Sequence, residues 1–66
     1  MEVMINGASR DVPEGTSLER AVSLITTASA GLAAAVNGEV VRRAAWAQHQ
    51  LAPGDEIEVL TAVQGG

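Results

Sequence analysis

Leu51-Ala52-Pro53-Gly54-Asp55-Glu56-Ile57-Glu58-Val59-Leu60-Thr61-Ala62-Val63-Gln64-Gly65-Gly66 reads as a turn, a strand and a thread. Pro53 presets φ at the second position of a four-residue turn, and Gly54 supplies the positive φ needed at the third. Beyond the turn the residues sort by parity. Ile57, Val59, Thr61 and Val63 share one face, and Glu56, Glu58, Leu60 and Ala62 share the other, so one face goes inward and one outward. The two final glycines have no Cβ, pack poorly and permit every backbone conformation, so they add nothing to a core. They suit a thread that enters a narrow channel in a partner and delivers a terminal carboxylate to chemistry done elsewhere.

Upstream, Glu2-Val3-Met4-Ile5 followed by Asn6-Gly7 predicts a short strand and a type I′ hairpin turn, with a second strand over 8–12. Pro13-Glu14-Gly15 breaks that strand. Thr16-Ser17-Leu18-Glu19 then has capping-box spacing, with the Thr16 oxygen set to accept from the third helical N–H and Glu19 to reach back. Leu18, Ala21, Val22 and Ile25 form a stripe at i, i+3, i+4 and i+7 that fits against a sheet. Thr26-Thr27 weakens this helix, the one long helix expected, and Gly31 ends the segment. Leu32-Ala33-Ala34-Ala35-Val36 is a continuous small apolar run between Gly31 and Asn37-Gly38, which predicts a buried strand. Asn37-Gly38 turns the chain again into a short edge strand, Glu39-Val40-Val41-Arg42. A single helical turn over 43–47 surrounds Trp46, the only aromatic residue, expected as a lid over a small core. The order gives an α+β domain spanning 1–66, with the helix on one sheet face and a core of Ile5, Leu18, Val22, Ile25, Val36, Ile57 and Val59.

Composition narrows the function. A chain of 66 residues buries only about 60% of its unfolded surface, which leaves no room to enclose a large cofactor. There is no cysteine, hence no disulfide, thiolate nucleophile or zinc knuckle. No apolar stretch reaches the ~18 residues that read as a membrane span, and no signal peptide is recognisable, so a cytoplasmic protein without membrane contact is expected. Net charge is −4 and the only basic side chains, Arg10, Arg20, Arg42 and Arg43, are too dispersed to track phosphates, which argues against nucleic acid. His49 is the sole histidine, and no spacing relates it to Ser9, Ser17, Ser23 or Ser29 as a catalytic constellation; it reads as an exposed polar residue beside Gln48 and Gln50. Asp55, Glu56 and Glu58 read as the solvated rim of a strand, without the geometry of a metal site or an acid pair. No catalytic or metal-ligating residue is expected. With no lysine, the chain cannot contain the GxxxxGK[ST] loop that cradles ATP phosphates.

Ile5-Asn6-Gly7, Ala35-Val36-Asn37-Gly38, Trp46, the run from Leu51 to Val59 and the ending Ala62-Val63-Gln64-Gly65-Gly66 together resemble the ThiS family, the sulfur carriers of thiamine biosynthesis, over essentially the whole chain. The resemblance implies a ubiquitin-like β-grasp fold: a mixed sheet of four to five strands, the first and last lying parallel at its centre, with one main helix packed on one face. It implies that Gly66 is the functional residue, carried with Gly65 and Gln64 on a flexible tail, 64–66. A carboxylate is a poor electrophile, so the expected cycle is adenylation of Gly66 by an E1-like adenylyltransferase, then sulfur transfer from a donor enzyme to give a thiocarboxylate. That thiocarboxylate would supply sulfur to thiazole synthase. The chain itself would be no enzyme and would bind no cofactor, ATP being used by the partner. The outward parity of the last strand, acidic at Glu56 and Glu58 and apolar at Leu60 and Ala62, is the expected partner interface. Three alternatives share much of this reading: a carrier like the small subunit of molybdopterin synthase, a β-grasp interaction module that carries no sulfur, and a ubiquitin-like modifier joined to lysines.

Overall fold

Two Asn-Gly dipeptides and two Gly-containing turns cut the chain into short strands. In the computed structural model, which describes residues 1–27 and 31–61, Asn6 and Gly7 have φ of 52° and 82°, and Asn37 and Gly38 have φ of 51° and 86°. Both central residues of each turn are thus left-handed, as a type I′ hairpin requires. Asn6-Gly7 joins β1 (Glu2–Ile5) to β2 (Ala8–Asp11), antiparallel, with Ile5 opposite Ala8. Asn37-Gly38 joins β3 (Leu32–Val36) to β4 (Glu39–Val41) in the same way, with Val36 opposite Glu39. The Pro53-Gly54 turn closes through the Asp55 N–H, which donates to the Ala52 carbonyl at 3.1 Å, and it launches β5 (Glu56–Thr61).

The sheet order is β2-β1-β5-β3-β4. β5 runs parallel to β1, with Met4 beside Glu56 and Ile5 beside Ile57, and antiparallel to β3 from Leu32 opposite Thr61 to Val36 opposite Ile57. A mixed five-stranded sheet with one helix on it is the expected β-grasp arrangement. The predicted parity of β5 holds from Glu56 to Leu60, where Ile57 and Val59 are buried and Glu56, Glu58 and Leu60 exposed, but Thr61, expected on the inward face, is exposed at the strand's end, beyond the reach of the short helix. Val63 lies outside the described residues.

The helix departs from expectation in its start and its length. Thr16 is buried, and its hydroxyl donates to the Pro13 carbonyl within the turn that Gly15 makes possible at φ 85°. It is therefore spent on the turn, and Ser17 is the N-cap, its Oγ accepting from the Arg20 N–H at 3.2 Å. The predicted capping box is not formed: with Ser17 as cap, Arg20 occupies the third helical position where the box needs Glu or Gln. The helix, α1 (Leu18–Ser23), has only six residues. Ser23 Oγ donates back to the Arg20 carbonyl at 2.6 Å, and Ile25, Thr26 and Thr27 bring β-branching where a further turn would form. So short a helix does not stand alone. Its first N–H groups find partners in the loop before β5: Leu18 donates to the His49 carbonyl at 2.8 Å and Glu19 to the Trp46 carbonyl at 3.2 Å.

Leu18, Ala21 and Val22 lie buried on Val3, Ile5, Ala34, Val36, Ile57 and Val59, with Val12, Trp46 and Leu51 closing the sides. Of the predicted core residues only Ile25 is merely half-buried, because the helix has ended before it. β3 is not buried on both faces as its unbroken apolar run suggested. Ala34 and Val36 are buried, whereas Ala33, on the other side of the sheet, is open to solvent. Trp46 is the lid. A 3₁₀ turn (Arg43–Ala45) delivers it, its Nε1 donates to the Val41 carbonyl at 2.7 Å, and the Arg43 guanidinium sits 4.7 Å from the ring centroid, stacked over its face.

A core this small has little margin. Truncating Ile57 or Val22 removes packing worth about 2–4 kcal/mol, against the roughly 3–5 kcal/mol that one core supplies to a domain of this size. Ile57→Ala is expected to leave much of the population unfolded near 37 °C, as read by circular dichroism. Ser17→Ala is expected to cost about 1 kcal/mol through the lost cap, measured by urea denaturation, and Thr16→Ser, which retains the hydroxyl bonded to Pro13, is expected to cost less.

Candidate functional site at the end of the central strand

β5 is held on both sides at its start and released toward its end. On the β3 side, Asn37 N–H donates to the Glu56 carbonyl at 2.7 Å, and Asn37 Oδ1 accepts from the Glu56 N–H at 2.9 Å. The Asn37 Nδ2 also donates to Asp55 Oδ1 at 3.0 Å, while Asp55 Oδ2 accepts from the Ala52 N–H at 2.8 Å. On the β1 side, Met4 N–H donates to the Asp55 carbonyl and Asn6 N–H to the Ile57 carbonyl, each at 2.9 Å. There β1 turns away. The Asn6 carboxamide takes the next position itself, accepting from the Val59 N–H at 2.8 Å and donating to the Val59 carbonyl at 3.3 Å. Thr61, two residues on, is the last described residue of the strand.

The outward face of β5 is apolar near that end. Leu60 is 68% exposed and lies opposite Ala33; Val40, 82% exposed, lies opposite Ala35 on the neighbouring strand pair. With the aliphatic stem of Glu58 they line a shallow hollow on the open side of the sheet. Solvent-exposed aliphatic side chains gathered on one surface are unfavourable in a free monomer and suit a docking face. Of the expected interface residues, Glu56, Glu58 and Leu60 thus come to one surface. Ala62, and with it the tail residues Gln64, Gly65 and Gly66, lies outside the described residues. Ala33 and Val40 were missed, since only strand pairing carries them beside Leu60. Asn6 and Asn37 were read only as turn residues, and the one signal for more was the choice of Asn, with its donor and acceptor, over the other residues that fit such turns.

The acidic trio is divided by the fold. Asp55 is committed to its turn, and Glu56 and Glu58 project from the open face. Among the described residues no group of three or more histidine or carboxylate side chains could hold a metal ion. His49 is half-buried rather than exposed, because its carbonyl is drawn to the Leu18 N–H at the helix start. Its ring borders an open polar groove with Arg42, Glu39 and Asp55. The serine hydroxyls are occupied elsewhere: Ser17 caps the helix, Ser23 bonds the Arg20 carbonyl and Ser9 bonds the Glu2 carboxylate, while Ser29 lies outside the described residues. No helix among the described residues is long and apolar enough to cross a membrane.

Residues 3–66 match the sequence model of the ThiS family. The chain is 29% identical, over all 66 residues of both sequences, to the sulfur carrier protein ThiS of Escherichia coli strain K12. A crystal structure of the thiamine biosynthesis protein ThiS from Geobacter metallireducens superposes with a TM-score of 0.81 at 29% identity, with both chains fully covered. A solution structure of a thiamine biosynthesis protein from Geobacter metallireducens gives a TM-score of 0.79, also at 29% identity, covering all of this chain and 88% of that one. A sheet with parallel β1 and β5 at its middle, an exposed apolar patch at the end of β5 and a match that runs through the diglycine lead to one assignment: the chain belongs to the ThiS family of sulfur carrier proteins.

Proposed function

We propose that this chain carries sulfur as a thiocarboxylate on Gly66, made by adenylation of the terminal carboxylate. The observation that supports this most directly is that the family match extends through Gly65 and Gly66, together with the exposed apolar patch at the end of the described part of the central strand. A carboxylate spreads its charge over two oxygens and would have to expel oxide. Attack on the α-phosphorus of ATP turns one oxygen into part of an AMP leaving group and releases pyrophosphate. Sulfide attacking the carbonyl carbon expels AMP and gives the Gly66 thiocarboxylate directly; a donor persulfide expels AMP to give an acyl disulfide, whose S–S bond a thiol then cleaves by attacking the donor's sulfur, leaving a disulfide on the donor side and freeing the thiocarboxylate. The nucleotide is held by the E1-like partner, and thiazole synthase is the acceptor. Glycine at 65 and 66 is required because a Cβ at Gly66 would crowd the carbon under attack, while one at Gly65 would restrict the backbone in a narrow channel. An extended residue advances the chain by ~3.3–3.6 Å, so these two glycines give the carboxylate roughly 7 Å of reach.

The docking face in this proposal is Leu60 with Val40 and Ala33, and Glu56 and Glu58 steer it toward a partner groove with an apolar floor and a basic rim. Such charges act mainly on the rate of encounter and are screened by salt over about 8 Å at physiological ionic strength.

The deciding experiment is intact mass of the chain after incubation with ATP, an E1-like adenylyltransferase and a sulfur donor. Oxygen-to-sulfur exchange at the C-terminus is the expected result. Deleting Gly66, or Gly65→Val, is expected to abolish that exchange while leaving the unfolding midpoint nearly unchanged. A truncated chain that still supported thiazole formation would make this an interaction module, and an isopeptide conjugate to lysine in place of a thiocarboxylate would make it a protein modifier. Separately, Leu60→Ala is expected to raise the concentration of carrier needed for half-maximal adenylation by about ten-fold, the size of effect a truncated apolar anchor has at an interface. Raising salt is expected to raise it further, and unchanged kinetics for Leu60→Ala would remove this surface from the interface.

A further inference from the structure

We propose that Asn6, sixty residues before the terminus in sequence, is a positioning residue for loading of Gly66, because its side chain replaces a missing strand at the point where β5 runs out toward the tail. The inference rests on the reading of Gly66 as the reacting group. The parallel β1–β5 register has only two pairs, Met4 with Glu56 and Ile5 with Ile57, and the last backbone bond on that side is Asn6 N–H to the Ile57 carbonyl. Along one edge of a strand, alternate residues present their N–H and C=O, so the next groups due for pairing are those of Val59. The backbone of β1 cannot reach them, since Asn6 and Gly7 have entered the left-handed turn. The carboxamide of Asn6 does. It has the donor and acceptor of a peptide group and meets both groups of Val59, extending the ladder by one rung beyond the end of β1.

Without that rung, β5 from Val59 onward would be held by β3 alone, through Ala34 opposite Val59 and Leu32 opposite Thr61. Strand ends secured on one side open more readily than those secured on both. A tail that must put one carboxylate carbon in line with a bound nucleotide depends on how firmly its root is held, and displacements of about 1 Å can cost a reaction a hundred-fold. Few side chains could serve. The position needs φ near +52°, which Asn and Gly tolerate, and a side chain that both donates and accepts, which excludes Gly and ionised Asp.

Asn37 provides an internal control. It occupies the same position of the same kind of turn, at φ 51°, and its carboxamide bonds the Glu56 N–H, where β5 begins, and the Asp55 carboxylate in the turn just before it. Glycine fits the backbone at both sites, so Asn6→Gly and Asn37→Gly each delete two side-chain hydrogen bonds at or beside one end of β5 while retaining the turn. The test uses the full chain, at a temperature where both variants are folded. Hydrogen exchange is read by NMR at individual amides, and adenylation is read as pyrophosphate release over a range of carrier concentrations. Asn6→Gly is expected to speed exchange at the Val59 N–H by about ten-fold. It is also expected to lower the adenylation rate at saturating carrier by about ten-fold, with little change in the half-saturating concentration, the pattern of lost orientation as opposed to lost binding. Asn37→Gly is expected to speed exchange at Glu56 and to leave the saturated rate alone. Equal effects of the two variants on that rate would show a merely structural role and overturn the proposal, as would wild-type adenylation by Asn6→Gly. If the unaltered chain were not adenylated at all, the carrier reading itself would fail, and the proposed role of Asn6 in loading with it. Exchange at Val59 would still decide whether the carboxamide rung exists in solution.

Discussion

The parallel pairing of β1 with β5 is the constraint on which the remaining structure depends. Antiparallel strands can be joined by two residues, as Asn6-Gly7 and Asn37-Gly38 show, but a parallel pair needs a long crossover. Everything from Asn6 to Asp55 is in that sense the connection between two adjacent strands. It has to carry the chain from one end of the sheet back to the other, and on the way it supplies the three other strands and the layer that covers the inner face. The arrangement also leaves β5 in the centre of the sheet, with β1 on one side and β3 on the other.

The covering layer is thin. A six-residue helix buries Leu18, Ala21 and Val22, and it persists because the loop that precedes β5 is sewn to it: His49 and Trp46 offer carbonyls to its first N–H groups, and Leu51 donates to the Thr16 carbonyl at 2.9 Å. Those bonds satisfy groups that a longer, self-supporting helix would leave to solvent. They also place Trp46, 2% exposed, over the side of the core that so short a helix leaves uncovered, where Arg43 shields its outer face. Among the described residues no buried side-chain polar atom lacks a partner, which such a small core could ill tolerate.

The opposite face of the sheet is left open, and the surfaces proposed for function lie there and at the end of β5. A carrier of this kind needs no catalytic group. It needs a terminus that a partner can reach, a surface by which the partner identifies it, and a firm root for the terminus. The exposed Leu60, Val40 and Ala33 fit the second requirement, and the double bonding of Asn6 to Val59 fits the third. The same economy explains why Asp55, which a reading by composition groups with Glu56 and Glu58, belongs to a turn: its carboxylate holds the Pro53-Gly54 corner from which β5 starts in register.

Local chemistry made much of this protein legible in its residues alone. The Asn-Gly pairs, the Pro53-Gly54 corner and the parity of Ile57 and Val59 against Glu56, Glu58 and Leu60 are short-range signals, because turn geometry and strand alternation are settled within two to four residues. The run of motifs ending in Val63-Gln64-Gly65-Gly66 carried the family for a related reason: its meaning lies in residue identity and not in packing. Tertiary structure decided the rest. Whether Thr16 or Ser17 caps the helix depended on which hydroxyl the Pro13 carbonyl captured, and the length of the helix on how much of it the loop at 46–51 could support. Ala33 and Ala34 are the same residue type in the same run, and only the register against Leu60 and Val59 sends one to solvent and the other to the core. Asn6 and Val59 are 53 positions apart, and their pairing exists because β1 ends one rung short of β5, a mismatch between two strands that no single stretch of sequence contains.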